Sequence, residues 1–366
     1  MGIKKLIINI VLRIINVFIL MRPIKDDQIA FVSLEANHLE SDLKLIYDAL
    51  EAENRYTLKT VLIHFDKNNL WTNFLYFLNC IKQIAVINTS RMVIITDNNY
   101  VISKFKRRGV IVLQVWHATG AVKKFGNSVK REYPINNYDY VIANSDYWKK
   151  PFSEAFNVAE DHVVVTGMPR VDHLLDPAFI ARSRDKFYQH YPELKGKKLL
   201  LYGPTFRGNI YQGFRAVPID ALKIIEALDE DTVLLYKYHP LLNASLANHE
   251  RIINMNRENT HELFAVCDGL ISDYSSIIFD FSLLNKPMYF FVPDIEEYSR
   301  DLGVFVDYYK DMAQAGPICT NEDELIDALT HSQEGKCDIE AFRKQFFAYA
   351  DGQNLSRVVQ LVASLM

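Results

Sequence analysis

A two-domain α/β protein, with a doubly wound parallel sheet in each domain, is the fold this sequence predicts. Three observations lead there. The 366 residues are about twice the length of an average domain. From residue 26 onward, short β-branched runs alternate with segments of helical length, the pattern of a parallel sheet covered on both faces. The residues suited to chemistry follow the ends of those runs, where open α/β sheets bind ligands.

The N-terminus stands apart. Lys4, Lys5, Arg13, Arg22 and Lys25 give residues 1–25 a charge of +5, on a chain of net charge −4. Residues 6–21 are almost wholly apolar, yet shorter than the ~20 needed for a span and interrupted by Arg13. Met21-Arg22-Pro23 is no signal-peptidase site. Lys5, Asn9, Arg13 and Asn16 share one helical face, while Leu6, Ile7, Ile10, Ile14, Val17 and Phe18 fill the others. The expectation is an N-terminal amphipathic helix over 1–25 at a membrane interface, its cationic stripe toward anionic head groups. The alternative is a terminal helix packed on the protein's own core.

Strand-like runs follow at 29–34, 60–65, 92–96, 110–116, 140–143 and 162–166, then at 199–202, 232–236, 269–272 and 288–292. Residues 176–198 between the two series are polar and helical in pattern, a crossover. The expected domains are 26–180 and 181–366, with the last helix able to pack back on the first and a cleft at the facing strand ends. An apolar stretch at 74–78, after Trp71, reads as a buried helix, the alternative being an addition to the membrane face.

Composition narrows the function. Apolar residues at 49% and charged residues at 23% exclude a disordered chain. The mildly acidic balance excludes a general nucleic-acid binder. Cys80, Cys267, Cys319 and Cys337 form no CxxC pair, which points to a reducing compartment and no zinc cluster. GxGxxG, P-loop, HExxH and GxSxG motifs are absent. No cofactor and no protein-bound metal are expected, leaving open only a divalent ion carried on a diphosphate.

Five segments carry candidate chemistry. Trp116-His117-Ala118-Thr119-Gly120, with Lys123 and Lys124, puts an imidazole at a strand end beside two cations. That suits a general base facing an anionic substrate, or else a histidine satisfied by backbone groups. Gly167-Met168-Pro169-Arg170 is a tight turn that aims an arginine, suited to phosphate or to pairing with Asp172. Gly203-Pro204-Thr205-Phe206-Arg207 resembles a phosphate-facing loop. In Lys237-Tyr238-His239-Pro240, strand alternation points Lys237 and His239 to one side, and Pro240 ends the strand. Ser272-Asp273-Tyr274-Ser275-Ser276 can cap a helix and present its first amides to an anion. Asp280, one turn deeper, is placed to accept from ribose hydroxyls; the alternative is an ordinary helix cap.

In this order, over residues 29–330, these segments resemble the CDP-glycerol glycerophosphotransferase family of teichoic acid synthesis. The resemblance takes in Phe31-Val32-Ser33, Ser41-Asp42-Leu43-Lys44, Asn144-Ser145-Asp146-Tyr147-Trp148, Leu283-Leu284-Asn285-Lys286-Pro287 and Pro293-Asp294-Ile295-Glu296-Glu297-Tyr298. It implies a GT-B architecture and transfer of glycerol 3-phosphate from CDP-glycerol, with release of CMP. The acceptor would be a hydroxyl on an undecaprenyl-diphosphate-linked saccharide, at the cytoplasmic face of a bacterial membrane. By the same resemblance His117 is the catalytic base and His239 stabilises the donor phosphates. Trp116, Thr119, Lys123, Lys124, Arg170, Pro204, Thr205, Arg207, Lys237, Asp273, Ser275, Ser276 and Asp280 fall on substrate-binding segments.

Large polymerases of the family read Trp-His-Gly-Thr-Pro, whereas Trp-His-Ala-Thr-Gly looks more like the short primase-type members. These add the first glycerol phosphate to an N-acetylmannosaminyl–N-acetylglucosamine lipid, and the single-module length agrees. The other readings are a second-step or polymerising glycerol- or ribitol-phosphate transferase, a nucleotide-sugar GT-B glycosyltransferase, and a non-catalytic membrane-associated binder. A homo-oligomer stays open.

Overall fold

The computed structural model describes all residues except 1–2, 65–69, 210–212, 240–241, 243, 302 and 332–336. It divides into two compact units. The first holds Met1–His117, Phe125–Asp172 and Gln353–Met366; the second holds Ala118–Lys124 and His173–Gly352. The division therefore falls at residue 172 and not 180, which lies inside the helix Pro177–His190. It also falls within the Trp116–Gly120 motif, directly after His117.

In the first unit α1 (Ile3–Leu20), β1 (Lys25–Ser33), α2 (Ser41–Glu53), β2 (Thr57–Leu62), α3 (Leu70–Ile87) and β3 (Ser90–Ile95) are followed by α4 (Tyr100–Phe105), β4 (Ile111–Gln114), β5 (Tyr140–Ala143), α5 (Lys149–Phe156) and β6 (Val163–Val165). The six strands form one sheet in the order β2-β1-β3-β4-β5-β6, every pair parallel. Its central strands are sealed by Ile29, Phe31, Val93, Ile94 and Val112, all buried. Such two-sided burial is why they read as continuous apolar runs and not as alternations.

The second unit runs α6 (Pro177–His190), β7 (Lys198–Gly203), β8 (Arg207–Asn209), β9 (Gly213–Arg215), α7 (Ala221–Glu226), β10 (Thr232–Tyr236) and β11 (Ile252–Asn254). Then come α8 (Thr260–Val266), β12 (Gly269–Ser272), α9 (Ile277–Ser282), β13 (Met288–Phe291), α10 (Ile295–Asp301), β14 (Ile318–Cys319), α11 (Glu322–Thr330) and α12 (Ile339–Phe346). The last helix, α13 (Asn354–Leu365), belongs to the first unit, where it packs on α2. The second sheet is also parallel, in the order β11-β10-β7-β12-β13-β14. Helix starts are fixed by side-chain caps; Asp176 accepts from the Ala178 and Phe179 amides, with Pro177 at the first helical position.

Both sheets reverse direction of winding at one point. In the first this lies between β1 and β3, in the second between β7 and β12. Ligands of open α/β sheets bind outside the strand ends at such points. The prediction of two doubly wound parallel sheets holds.

Two expectations about the N-terminal half are met only in part. No described helix is long and apolar enough to cross a membrane; of the polar stripe of α1, Asn9 and Asn16 are turned to the protein and Arg13 is exposed. Asn16 accepts from the Asn88 side chain at 2.8 Å, and Asn9 accepts from the Tyr100 hydroxyl. Ile10, Ile14, Val17 and Phe18 are exposed instead. The asparagines find partners on a folded surface, Asn88 just after α3 and Tyr100 in α4, while Arg13 of the same stripe stays exposed; the side chains of Lys5, Leu6 and Ile7 lie outside the described residues. Helix α3, expected buried, also exposes Trp71, Phe74, Leu75 and Leu78. It packs against α1, leaving two apolar helix faces in solvent.

Candidate functional site

The first unit gathers Trp116, His117 and Arg170 at its switch point. Strand β4 ends at Gln114, whose side chain accepts from the Trp116 amide at 2.8 Å. Trp116 adopts a left-handed φ of 64°, a strained conformation for a bulky residue. Packing imposes it: the indole stacks on Phe125 at 4.5 Å and meets Phe156 edge-on. This turn delivers His117, whose Nδ1 lies 3.0 Å from Glu35 Oε1 and 3.2 Å from the Thr96 carbonyl. Glu35 follows β1 and Thr96 follows β3, the two strands flanking the switch point.

Arg170 is not paired with Asp172. Gly167, at φ +74°, turns the chain against Asn354 so closely that a Cβ would collide with its side chain. The turn aims Arg170 at Asp42, a fully buried residue of α2, to which its amide and Nε donate. The same guanidinium donates to the His117 carbonyl at 2.5 Å and the Trp116 carbonyl at 3.2 Å. Asp172 instead accepts from the Asn354 and Leu355 amides at the start of α13.

In the second unit, Pro204 and Thr205 follow β7, and Asp273, Ser275 and Ser276 follow β12, on either side of the second switch point. Strand β7 and helix α9 approach closely here; a Cβ on Gly203 would sit 2.7 Å from the Ile277 side chain. Pro204 is buried. Ser275 and Ser276 are half-buried, and Ser276 makes no capping hydrogen bond. Thr205 donates its amide to the buried Asp273 at 2.7 Å.

Arg207 and Asp273 are braces. Arg207 is 6% exposed and donates to Asp273 (2.8 Å), to both oxygens of Asp294 (2.6 and 3.0 Å) and to the Thr205 carbonyl. Its Cζ lies 4.8 Å from the Tyr274 ring centroid and 5.0 Å from that of Tyr298, two rings that stack on each other at 3.7 Å. The structure places these two substrate-binding candidates in a network with Thr205 and Asp294 that shapes the 203–206 loop.

Asp280 is likewise engaged. It is 7% exposed, accepts from the Thr119 hydroxyl, and lies 3.1 Å from His261 Nε2. His261 Nδ1 is in turn 2.8 Å from His173 Nε2. Burial, then the neighbouring His261, push His173 down to about 4, so it is neutral. Its carboxylate is thus occupied by a threonine and a histidine where a ribose was expected.

The cations divide. Lys123 Nζ sits 4.6 Å over the Phe206 ring, which also meets Phe214 at 4.8 Å and the exposed His239 at 4.9 Å, so Lys123, Phe206 and His239 stand together. Burial lowers Lys123 below the usual lysine range. Lys124 is exposed, its amide bonded to the Gly303 carbonyl. Strand β10 ends at Tyr236, short of the residues to which alternation was applied, and Pro240 lies outside the described residues. Lys237 donates instead to the Asn256 carbonyl at 3.0 Å, and burial lowers its pKa. Among the described residues no three His, Cys, Asp or Glu side chains are placed to hold a metal ion.

Glu35, Thr96, Asp42, His173 and His261 were missed. Each lies far along the chain from the residue it serves, in a segment with no motif of its own; Asp42 alone sat in a quoted segment.

These features have relatives. The family model described as CDP-Glycerol:Poly(glycerophosphate) glycerophosphotransferase matches residues 14–364. The chain is 31% identical to the teichoic acid ribitol-phosphate primase of Bacillus spizizenii, covering 94% of this chain and 92% of the relative. It is 28% identical to the teichoic acid glycerol-phosphate primase of Bacillus subtilis, covering 79% and 77%. In fold it is similar to the wall teichoic acid polymerase TagF, in a variant soaked with CDPG, with TM-score 0.73 and 22% identity over 97% of this chain and 95% of that one. A match over almost the whole length, with the switch-point residues inside it, means that the chain belongs to the CDP-glycerol:poly(glycerophosphate) glycerophosphotransferase family, alongside the teichoic acid primases and polymerases.

Proposed function

We propose that the protein transfers glycerol 3-phosphate from CDP-glycerol to an undecaprenyl-diphosphate-linked N-acetylmannosaminyl–N-acetylglucosamine acceptor, releasing CMP. The observation that carries the reading is His117, an exposed imidazole at the first switch point with Nδ1 directed at two acceptors. Its Nε2 takes the proton of the acceptor hydroxyl. The hydroxyl oxygen bonds to the phosphorus bearing glycerol, the bond to the bridging oxygen breaks, and CMP leaves with that electron pair. The Pro204-Thr205 loop, Ser275 and Ser276 hold the diphosphate, with Lys123, Lys124, Lys237 and His239 supplying positive charge. Phosphoryl transfer relies chiefly on such positioning and charge stabilisation.

A second donor, CDP-ribitol, is favoured by the 31% identity to a ribitol-phosphate primase over nearly both full lengths. In either case the lipid acceptor gives the exposed apolar faces of α1 and α3 a purpose, attachment to the cytoplasmic face of the membrane.

The test is CMP release with a synthetic lipid-linked disaccharide, first from CDP-glycerol and then from CDP-ribitol, with mass analysis of the product. One addition followed by a halt supports the primase reading, and a ladder makes it a polymerase. No CMP from either donor overturns the proposal.

A further inference from the structure

We infer that Glu35 is the positioning residue for His117: its carboxylate holds the imidazole with the proton on Nδ1, so that Nε2 faces the substrate as the base. This rests on the reading above, in which His117 takes the acceptor proton.

The tautomer follows from the partners. Nδ1 lies 3.0 Å from Glu35 Oε1 and 3.2 Å from the Thr96 carbonyl, and neither an ionised carboxylate nor a carbonyl can donate. A neutral His117 therefore carries its hydrogen on Nδ1. When Nε2 accepts the hydroxyl proton, the imidazolium forms against the Glu35 charge, the arrangement by which a third group supports a base. The phosphorus–oxygen bond that forms and the one that breaks are those already given, and Glu35 keeps its charge throughout.

Glu35 is built into place although its side chain is 41% exposed. The loop leaving β1 is pinned at three successive points. The Leu34 amide donates to the buried Asp97 at 2.5 Å, the Glu35 amide donates to Ser33 Oγ at 3.1 Å, and the Glu35 carbonyl bonds to His64 Nδ1 at 2.6 Å. An exposed carboxylate on so constrained a backbone is held for a purpose other than packing. The charged groups around His117 are Glu35 from the β1 loop, Asp97 from the β3 loop, and Arg170, whose guanidinium is on the His117 carbonyl and neutralised by Asp42.

The experiment compares wild type with Glu35→Gln and Glu35→Asp, in the presence and absence of His117→Gln. In the CMP-release assay E35Q lowers kcat about 10- to 100-fold, the range for groups that orient a catalytic side chain. KM for the donor stays within about twofold, and E35D recovers part of the loss. The acid limb of kcat/KM moves to lower pH in E35Q, because removing a neighbouring negative charge makes the imidazole a weaker base. In the H117Q background E35Q costs nothing more, since the two residues act as a unit. A loss below about threefold with an unmoved pH profile overturns the inference, as does an equal loss with and without His117.

A substrate-free measurement separates this from the function itself. Nitrogen NMR of the wild-type imidazole shows the Nδ1–H tautomer, with a midpoint that falls in E35Q. The Nε2–H tautomer, or a midpoint that E35Q leaves in place, overturns the inference. Should wild type release no CMP while the NMR behaves as stated, the proposed reaction fails and the Glu35–His117 coupling stands.

Discussion

Arg170 and Asp42 form the joint on which the His117 turn is mounted. The carboxylate is fully buried and takes two hydrogen bonds from Arg170, whose remaining N–H groups hold the carbonyls of Trp116 and His117. Asp42 sits in the first turn of α2, where the helix dipole favours a negative charge. The left-handed Trp116 is thus fixed from three sides, by Arg170, by Gln114 and by the Phe125 ring.

Asp42→Asn leaves a guanidinium that is mostly buried without its counter-charge. Breaking such a pair costs about 3–5 kcal/mol, so the urea midpoint falls and turnover drops with it. Adding Arg170→Met removes the orphaned charge and recovers most of the stability, because an apolar replacement of a buried pair is often near neutral. Turnover does not return, since nothing then holds the His117 carbonyl. Recovery of both by the double variant contradicts the assigned role.

Asp97 gives the protein a stability slope of unusual sign. Burial raises it to about 7, against the Leu34 amide bond that lowers it and the nearby Glu35 that raises it further, and its Oδ1 has no hydrogen-bond partner. A carboxyl raised in the folded state binds more protons there than in the unfolded chain, where it titrates near 3.9. Its contribution is therefore fully present below pH ~4 and is lost as pH rises to about 7, by a few kcal/mol in all. Asp97→Asn keeps an acceptor for Leu34 and removes this term. Urea midpoints between pH 4.5 and 8 show the variant gaining on wild type as pH rises, then running parallel above pH 8; parallel curves throughout contradict the raised pKa.

How much of this was legible beforehand depended on where partners lie. Strand positions and the five chemical segments announce themselves locally, through β-branched runs and the turn residues that end them. Glu35, Asp42 and His261 do not, because a salt bridge or hydrogen bond across a sheet leaves no periodic trace in sequence. Asp280 shows the consequence: its spacing from Ser276 is correct for one helical turn, yet each of its oxygens already has a partner, Thr119 on one and His261 on the other. The inward turn of Asn9 and Asn16 on α1 was illegible for a different reason. An amphipathic period reveals that two faces differ, not which one meets protein, and Asn88 and Tyr100 were invisible as partners for Asn16 and Asn9.

Arg207 separates bracing from binding. Its planar fork matches Asp294 with two hydrogen bonds beside the stacked Tyr274 and Tyr298 rings. Lysine reproduces the charge but not the fork. Arg207→Lys therefore lowers stability by about 2–4 kcal/mol, and KM for the donor rises as the 203–206 loop loosens. A residue that only touched phosphate would tolerate lysine with unchanged stability and a raised KM. Denaturant midpoint and KM, measured on the same preparation, decide between them.

The outward faces of α1 and α3 predict attachment to lipid. Phe18 is 66% exposed and Phe74 is 48% exposed, and with Ile14, Val17, Trp71 and Leu78 they offer more apolar surface than isolated exposed residues would. Five basic residues and no acid in the first 25 add an attraction to anionic head groups that salt screens. The full chain should sediment with phosphatidylglycerol vesicles, less so at 0.5 M salt. Burying a large apolar side chain stabilises by about 1.5 kcal/mol or more, so Phe18→Glu with Phe74→Glu weakens the partition by roughly 100-fold or more. Both side chains already face water, so the folded state is not penalised and the urea midpoint stays put. Vesicle binding that survives the double substitution assigns lipid contact to another surface; loss of self-association in its place makes the face a contact between two copies of the chain.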